Sequence, residues 1–482
     1  MANLGMGSDI VATPAKSPAA LNRYIYFPDH LVRIPGPVPG ASLISSFIQN
    51  LTSFFTEPAL QGVLRSALAE PSLPPRAAHV TDESVGDFVA RRFSPAIANN
   101  LASALFHGIY AGDIYNLSAR TLLPRLWHYE TMEAGIMGSM SQNIVNARGA
   151  ISYDVLAFLD KLSYSGPPPE QLADVAKALS RSVVFTLRRG LHQLVTRLEG
   201  SLRSASNVTV HTGSRVKGID FDPSSKTVSF DLTNGSSKGR ADYVISTTNS
   251  LPSSMSDIKM DPKARAVFAD WPTGVHVMVV NLFFSNPSLL KSHRGFGYLI
   301  PSSVPIEQNP ERALGVIFGS ETSNPTGIDG SGQDTAPGTK LTVMLGGHWW
   351  SDWDPSDLPS PDDAVQMALS ILRRHLKITD YPVVAKAKLA WNAIPQYRVG
   401  YRDSMASVHE LLMREFQGRL KVAGPWTQAG VGVNDCVRKG WEAARAVVED
   451  QDAVTGVEGM GAKERWFVVD REGGVRISEG GM

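Results

Sequence analysis

Leu420-Lys421-Val422-Ala423-Gly424-Pro425-Trp426-Thr427-Gln428-Ala429-Gly430-Val431-Gly432-Val433-Asn434-Asp435-Cys436 joins a short apolar strand to a glycine-rich turn, and a small-residue helix follows from about Val433 to Glu449. The glycines let backbone come close to a ligand. The helix start adds unpaired amide donors and partial positive charge, which suits a phosphate or a reduced flavin ring. A tight strand-to-helix turn with small residues for packing accounts for the same spacing equally well. A second glycine pattern, Gly5-Met6-Gly7-Ser8-Asp9-Ile10, imitates the start of a GxGxxG fingerprint. No strand precedes it and Ile10 stands where the third glycine is needed, so it reads as a loop.

Working outward from this corner, 482 residues give room for two or three lobes. Hydrophobic residues at 43% and charged residues at 19% exclude disorder. Lys+Arg 46 against Asp+Glu 46 leaves no basic excess, so no nucleic-acid partner is expected. One cysteine, Cys436, excludes an intramolecular disulfide and a cysteine-rich metal site, and no metal is expected. No apolar run is long enough to span a bilayer; Val275 to Phe284 is broken by His276 and Asn281. The first twenty residues resemble neither a secretory signal nor an Arg-rich presequence.

Ala41 to Thr56 predicts an uncharged helix with a greasy face. Thr81, with Asp82 and Glu83, is expected to cap the helix carrying Val85, Phe88 and Val89, and Pro95 to open the next. A helical block therefore runs to about Gly166 and ends in Pro167-Pro168-Pro169. Gln171 to Leu198 reads as helix. Strands are expected at Val208 and Val210, at Val228 to Leu232 before an Asn234-Gly235 turn, around Tyr243 to Ile245, at Val275 to Val279 and at Leu341 to Leu345. Asn324 to Lys340 reads as a loop, and Ser360-Pro361-Asp362-Asp363 as a strong helix start. After Asp450 the glycines predict a loosely ordered tail. No HExxH or GxxxxGK motif is present and no GxSxG nucleophile elbow is read, which removes the usual support for hydrolase chemistry.

The segment from Leu420 to Ala444, with Gly440 and Ala443-Ala444 after the turn, resembles the closing flavin motif of the protoporphyrinogen oxidases, members of the amine-oxidase-like flavoprotein group, here in fungal form. Further segments resemble that family in its order: Pro18 to Tyr26 around Arg23, Ser103 to Asp113, Gly295 to Ser303, Thr342 to Gly347 and Ile394 to Tyr397. The resemblance implies a fold of α/β and α+β type. It has a Rossmann-like FAD lobe (1–38, 170–265 and 415–450), a helical membrane-associating lobe (39–169), a mixed-sheet substrate lobe (266–414) and a flexible tail (451–482).

By the same resemblance, Arg23 pairs with a propionate of the tetrapyrrole, a task for which its forked guanidinium is suited. Phe296, Leu299, Met344 and Ile394 would wall the macrocycle, while Gly108, Ala111 and Gly297 leave room for its edge. Val216, Trp391, Gly424, Gly430, Val431, Gly432, Val433 and Asn434 would hold FAD. The implied reaction is oxidation of protoporphyrinogen IX to protoporphyrin IX in haem biosynthesis, by hydride removal to FAD with molecular oxygen as acceptor. No general acid or base is assigned. The implied setting is the mitochondrial inner membrane, with the membrane surface as a partner and a homodimer admitted. In the family a strand, GxGxxG turn and helix precede the arginine segment, and only 22 residues precede Arg23 here. The expected flavin lobe is therefore incomplete, strand Leu420 to Ala423 is expected to carry an exposed edge, and FAD retention is expected to be weak or absent. A non-catalytic tetrapyrrole-binding relative and a flavin amine oxidase remain as alternatives.

Overall fold

Alternation of apolar side chains along Val275 to Phe284 builds the longest central strand, and the largest sheet grows on both of its edges. The computed structural model describes residues 2–37, 43–146, 148–152, 182–233, 238–248, 273–323, 332–333, 336–427, 430–460, 465–469 and 475–477, with scattered positions between 155 and 180. In chain order come β1 (Ile10–Pro14), β2 (Tyr24–Tyr26) and β3 (Leu31–Arg33), then a helical block with α1 (Leu43–Thr56), α2 (Val85–Arg92) and α3 (Ser103–Tyr110). β4 (Gly149–Ser152), β5 (Ser182–Leu187), α4 (His192–Ser204), β6 (Val216–Asp222), β7 (Thr227–Leu232), β8 (Lys238–Ala241) and β9 (Val244–Ser246) follow. The remainder is β10 (Gly274–Phe284), β11 (Gly297–Leu299), β12 (Ala313–Phe318), β13 (Thr339–Gly347), α5 (Pro361–Leu376), β14 (Val384–Pro395), α6 (Tyr401–Phe416), β15 (Leu420–Val422), α7 (Val433–Val448), β16 (Trp466–Val469) and β17 (Val475–Ile477).

The large sheet has the order β14-β10-β13-β12-β11-β2-β3. Its pairs are antiparallel except β11 with β2. One face is dry: Met278, Val280, Leu282, Tyr298, Val316, Leu341 and Val343 pack against Ala364, Ala368, Ile371 and Leu372 of α5. The sequence signal for α5 is complete, since Ser360 Oγ accepts from the Asp363 amide and the Asp363 carboxylate accepts from the Ser360 amide. A second core joins α2, α3 and α6 to β15 through Phe88, Phe106, Met405, Leu412, Leu420 and Trp426. β9 and β15 pair in parallel, as a nucleotide-binding sheet requires.

Several expectations differ from what is found. Within Gln171 to Leu198, Ser182–Leu187 is a strand paired with β1, because the run Val183-Val184-Phe185-Thr186 favours extended backbone once β1 offers an edge. No strand forms at Val208 and Val210, where two alternating valines lack a pairing partner. Ser84, not Thr81, caps α2: its hydroxyl accepts from the Asp87 amide at 2.9 Å. Asp82 instead accepts from Ser118 and from the Gly400 amide. Asn234-Gly235, Pro167 to Pro169 and much of Asn324 to Lys340 lie outside the described residues.

The stretch after Asp450 is structured where it is described. The Val422 amide donates to Thr455 O at 2.8 Å, and Lys421 Nζ donates to the carbonyls of Gln451 and Val454. β16 pairs with β4 and β17, and Trp466 stacks on His128 at 5.1 Å. Residues 420–423 are consequently fully buried, and the edge expected to be exposed is covered.

Candidate functional site

The face of the large sheet opposite α5 gathers most of the residues singled out in the sequence for the substrate. Side chains alternate along a strand, so register decides which of them share that face. The pairs Leu299↔Gly315, Gly315↔Met344 and Val279↔Met344 place Leu299, Met344 and Val279 side by side. Arg23 extends β2 by one residue and falls beside Gly297. It is exposed, its guanidinium lies 5.1 Å from the centroid of the Phe296 ring, and no carboxylate pairs with it among the described residues. Asn22 fixes this strand end: its side chain donates to Arg294 O, and its carbonyl accepts from the Phe296 amide.

α3 lies on this face and closes one side of it. The space above Gly108 is taken by Leu299, whose Cδ2 stands 2.7 Å from where a Cβ would be. Gly297 likewise owes its identity to the sheet: with φ +145 its Cβ would meet Val316 O at 2.2 Å. Both glycines therefore serve close packing, and the room expected beside them for a ligand edge is filled. Ala111, at φ 50, ends α3 and joins Val275, Val277 and Leu314 in a small apolar cluster with Met344 and Ile394 against it.

A histidine pair bolts α3 in place. His107 Nδ1 donates to Ile300 O at 2.6 Å, so the neutral ring presents Nε2 as acceptor to His348 Nε2–H at 2.8 Å. Burial, foremost, holds both imidazoles well below their usual value, and His107 together with Arg312 lowers His348 further. The His348 amide also donates to Ala111 O at 2.8 Å.

The glycine corner meets this site through β14. Tyr397 Oη donates to Pro425 O at 2.6 Å, and Gln396 Nε2 donates to Tyr110 O at 2.9 Å. Burial pushes the Tyr110 phenol up to about 12 and raises Tyr397 further, and Asp435 at the start of α7 adds to both shifts. The turn and helix start thus sit against the end of α3 and the end of β14. Gly424 takes φ +150, and Gly430 approaches the Asp435 side chain too closely for any Cβ. Gly432, Val433 and Asn434 are exposed at the helix start, and the Asp435 carboxylate accepts from the Gly432 amide. The Val433 and Asn434 amides, in the first turn, keep the donor capacity that a flavin ring carbonyl requires. The residues present fit that group. Val216 and Val431 pack against the same core as Trp426.

Trp391 stands apart. It stacks on His276 at 4.0 Å beside a bulge in β14, and Val275 and Val277 on either side of His276 face the cluster that Trp391 does not join. The sequence reading passed over His107, His348, Gln396 and Tyr397 as side chains with a task. It also passed over Lys386 and Lys388, although the alternation Val384-Ala385-Lys386-Ala387-Lys388 announces two lysines on one face of a strand.

The sequence profile of the flavin containing amine oxidoreductase family matches residues 3–448. The chain is 30% identical over 449 residues to the protoporphyrinogen oxidase of Schizosaccharomyces pombe, covering 92% of this chain and 82% of that protein. It is 29% identical over 451 residues to the protoporphyrinogen oxidase of Homo sapiens, covering 93% and 83%. A crystal structure of a protein from Exiguobacterium sp. 255-15 superposes with a TM-score of 0.62 at 19% identity, covering 93% of this chain and 83% of that one, which speaks to the fold alone.

Proposed function

Because the chain belongs to the flavin-containing amine oxidoreductases and to their protoporphyrinogen oxidase branch, we propose that it oxidises protoporphyrinogen IX to protoporphyrin IX in haem biosynthesis, as an FAD-dependent oxidoreductase. The observation that carries this reading is the apolar sheet face with exposed Arg23, which pairs with no carboxylate among the described residues, at its rim and the glycine corner at its far end. FAD, when bound, supplies the hydride acceptor and passes the electrons to oxygen. Gly424 and Gly430 to Asn434 hold it, with Val216 packed behind the corner.

Arg23 binds a propionate, and the Phe296 ring beneath it holds the guanidinium against the apolar wall. Leu299, Met344 and Ile394 present a flat apolar surface that orients the macrocycle and excludes water. Ala111 closes its side, with its carbonyl held by the His348 amide. The histidine pair is neutral and internally hydrogen-bonded, so it holds its protons and supplies no base. No strong base is required: a methylene bridge between electron-rich pyrroles yields hydride to leave a delocalised cation, which is acidic enough to release its proton to solvent.

Exposed Phe55, Leu68, Leu105 and Ile109 lie on the helical block, and among the described residues no helix is long and apolar enough to cross a membrane. These support docking on a membrane surface, and the mitochondrial inner membrane is the proposed location. The activity is tested by supplying the purified protein with FAD, protoporphyrinogen IX and air. Porphyrin fluorescence with about three oxygen molecules consumed per porphyrin supports the proposal. Porphyrin formation no faster than without protein, at full flavin occupancy, overturns it.

A further inference from the structure

Arg23 meets no carboxylate among the described residues, so its aim depends on its backbone and on the Phe296 ring beside it. Both depend on Asn22. The Asn22 carbonyl accepts from the Phe296 amide at 3.0 Å, and its side chain donates to Arg294 O at 2.8 Å. The remaining side-chain atom, Asn22 Oδ1, accepts from Arg33 Nε at 2.9 Å. Directly after Arg33, the Ile34 amide donates to Arg23 O at 2.9 Å.

Arg33 is the last residue of β3 and lies opposite Tyr24 in the pairing with β2. Cross-strand partners share a face and neighbours along a strand alternate, so Arg33 points away from the face that Arg23 occupies. It does not touch a ligand held there. Its guanidinium is half-buried, and besides Asn22 it serves neutral acceptors on other segments. Nη1 donates to Asn50 Oδ1 at 3.3 Å, and Nη2 donates to Gly36 O at 3.0 Å and to Pro37 O at 2.7 Å. Asn50 belongs to α1 and closes the node, since its side chain donates to Gly36 O at 2.9 Å and accepts from the Gly36 amide at 3.1 Å. A planar fork is suited to hold such segments at fixed angles, as a single ammonium is not.

We propose that Arg33 is a positioning residue for the substrate: anchored on α1, it fixes Asn22 and through Asn22 the aim of Arg23. This inference rests on the reading of Arg23 as the propionate-binding cation. Arg33 also staples the β2–β3 hairpin to α1, and that role alone predicts a lower melting temperature at unchanged affinity.

A double-mutant cycle with Arg23 separates the two roles. Equilibrium binding of protoporphyrin IX, followed by quenching of protein fluorescence, needs no turnover. Arg33→Met is expected to weaken binding about 5-fold when Arg23 is present and less than about 2-fold in the Arg23→Met background, where no guanidinium remains to be aimed. In turnover, KM for protoporphyrinogen IX should rise in parallel while kcat stays within about 2-fold. His30 supplies the control, because its ring nitrogens lie 2.9 Å from Asp29 Oδ1 and 3.0 Å from Glu57 Oε2, bonds that reach neither Asn22 nor Arg23. His30→Gln loosens the same hairpin from the end of α1 and is expected to leave affinity unchanged. Should Arg33→Met fail to fold, Asn50→Ala, which removes only the α1 side of the node, is expected to weaken binding at least about 2-fold. Unchanged affinity in these variants, equal weakening with and without Arg23, or equal weakening by His30→Gln overturns the proposal. If Arg23→Met itself leaves affinity unchanged, the reading of Arg23 falls, and this inference with it.

Discussion

Arg23 is exposed and pairs with no carboxylate among the described residues, so its replacement separates binding from folding. Arg23→Met is expected to raise KM for protoporphyrinogen IX roughly 10- to 100-fold, the loss of one charge-assisted contact, with kcat within about 2-fold and no change in melting temperature. A KM equal to wild type would remove Arg23 from the site. His375 makes a different prediction. Its Nε2–H donates to Gln308 O at 2.7 Å, and its Nδ1 accepts from Tyr298 Oη at 3.1 Å. Burial pushes its pKa down to about 4. The unfolded imidazole takes up a proton below about pH 6.5 while the folded one resists until near 4. Stability from this residue is therefore complete above about 6.5 and is lost on acidification, by up to roughly 3 kcal/mol. Chemical denaturation at stepped pH should show a shallower acid slope for His375→Gln, and an identical slope would place the sensitivity elsewhere.

At the scale of elements, the helical block hangs on a buried ion pair. Glu70 and Arg92 are both almost fully enclosed and bonded to each other, and Glu70 also accepts from the Ile136 and Met137 amides. Arg92→Met leaves that carboxylate buried and unpaired, and is expected to lower stability by about 3–5 kcal/mol. A denaturation midpoint within error of wild type would contradict this. Gly297→Ala drives a Cβ into Val316 O and is expected to lower stability by ~1–3 kcal/mol, even though the position lies beside Arg23 on the proposed binding face. The elements that could be read from the chain were those with strong local signals. α5 has its capping serine, proline and aspartates, and β10 and β13 have clean alternation against a helix-covered face. β5 was misread because its partner β1 lies far away in sequence, and extended pairing outweighed a helical reading. The pairing of Gly108 with Leu299 was invisible because register exists only after folding.

Across the whole molecule, the segment from Gln451 to Glu458 completes the core around β15, with Thr455 fully buried and Lys421 hydrogen-bonded to its carbonyls. Removing residues 451–482 should therefore lower the melting temperature by several degrees and open the β15 amides to hydrogen exchange; unchanged protection of Val422 would contradict it. The site was legible as a list and not as an arrangement. Arg23, Leu299, Met344 and Ile394 were each identifiable by resemblance, yet only the sheet shows that they share a face with Lys386 and Lys388. Trp391 matched by resemblance but turns away from the cluster, because Ala390 pairs with Val277 and strand alternation sends Trp391 to the side of His276, on which it stacks. The central claim is that this face presents a porphyrinogen to flavin. It is tested most directly by mixing the protein, loaded with FAD and freed of oxygen, with protoporphyrinogen IX. Prompt bleaching of the yellow flavin absorbance, slowed at subsaturating substrate by Arg23→Met, is the predicted result. Flavin that stays oxidised while bound, with substrate in excess, would contradict it.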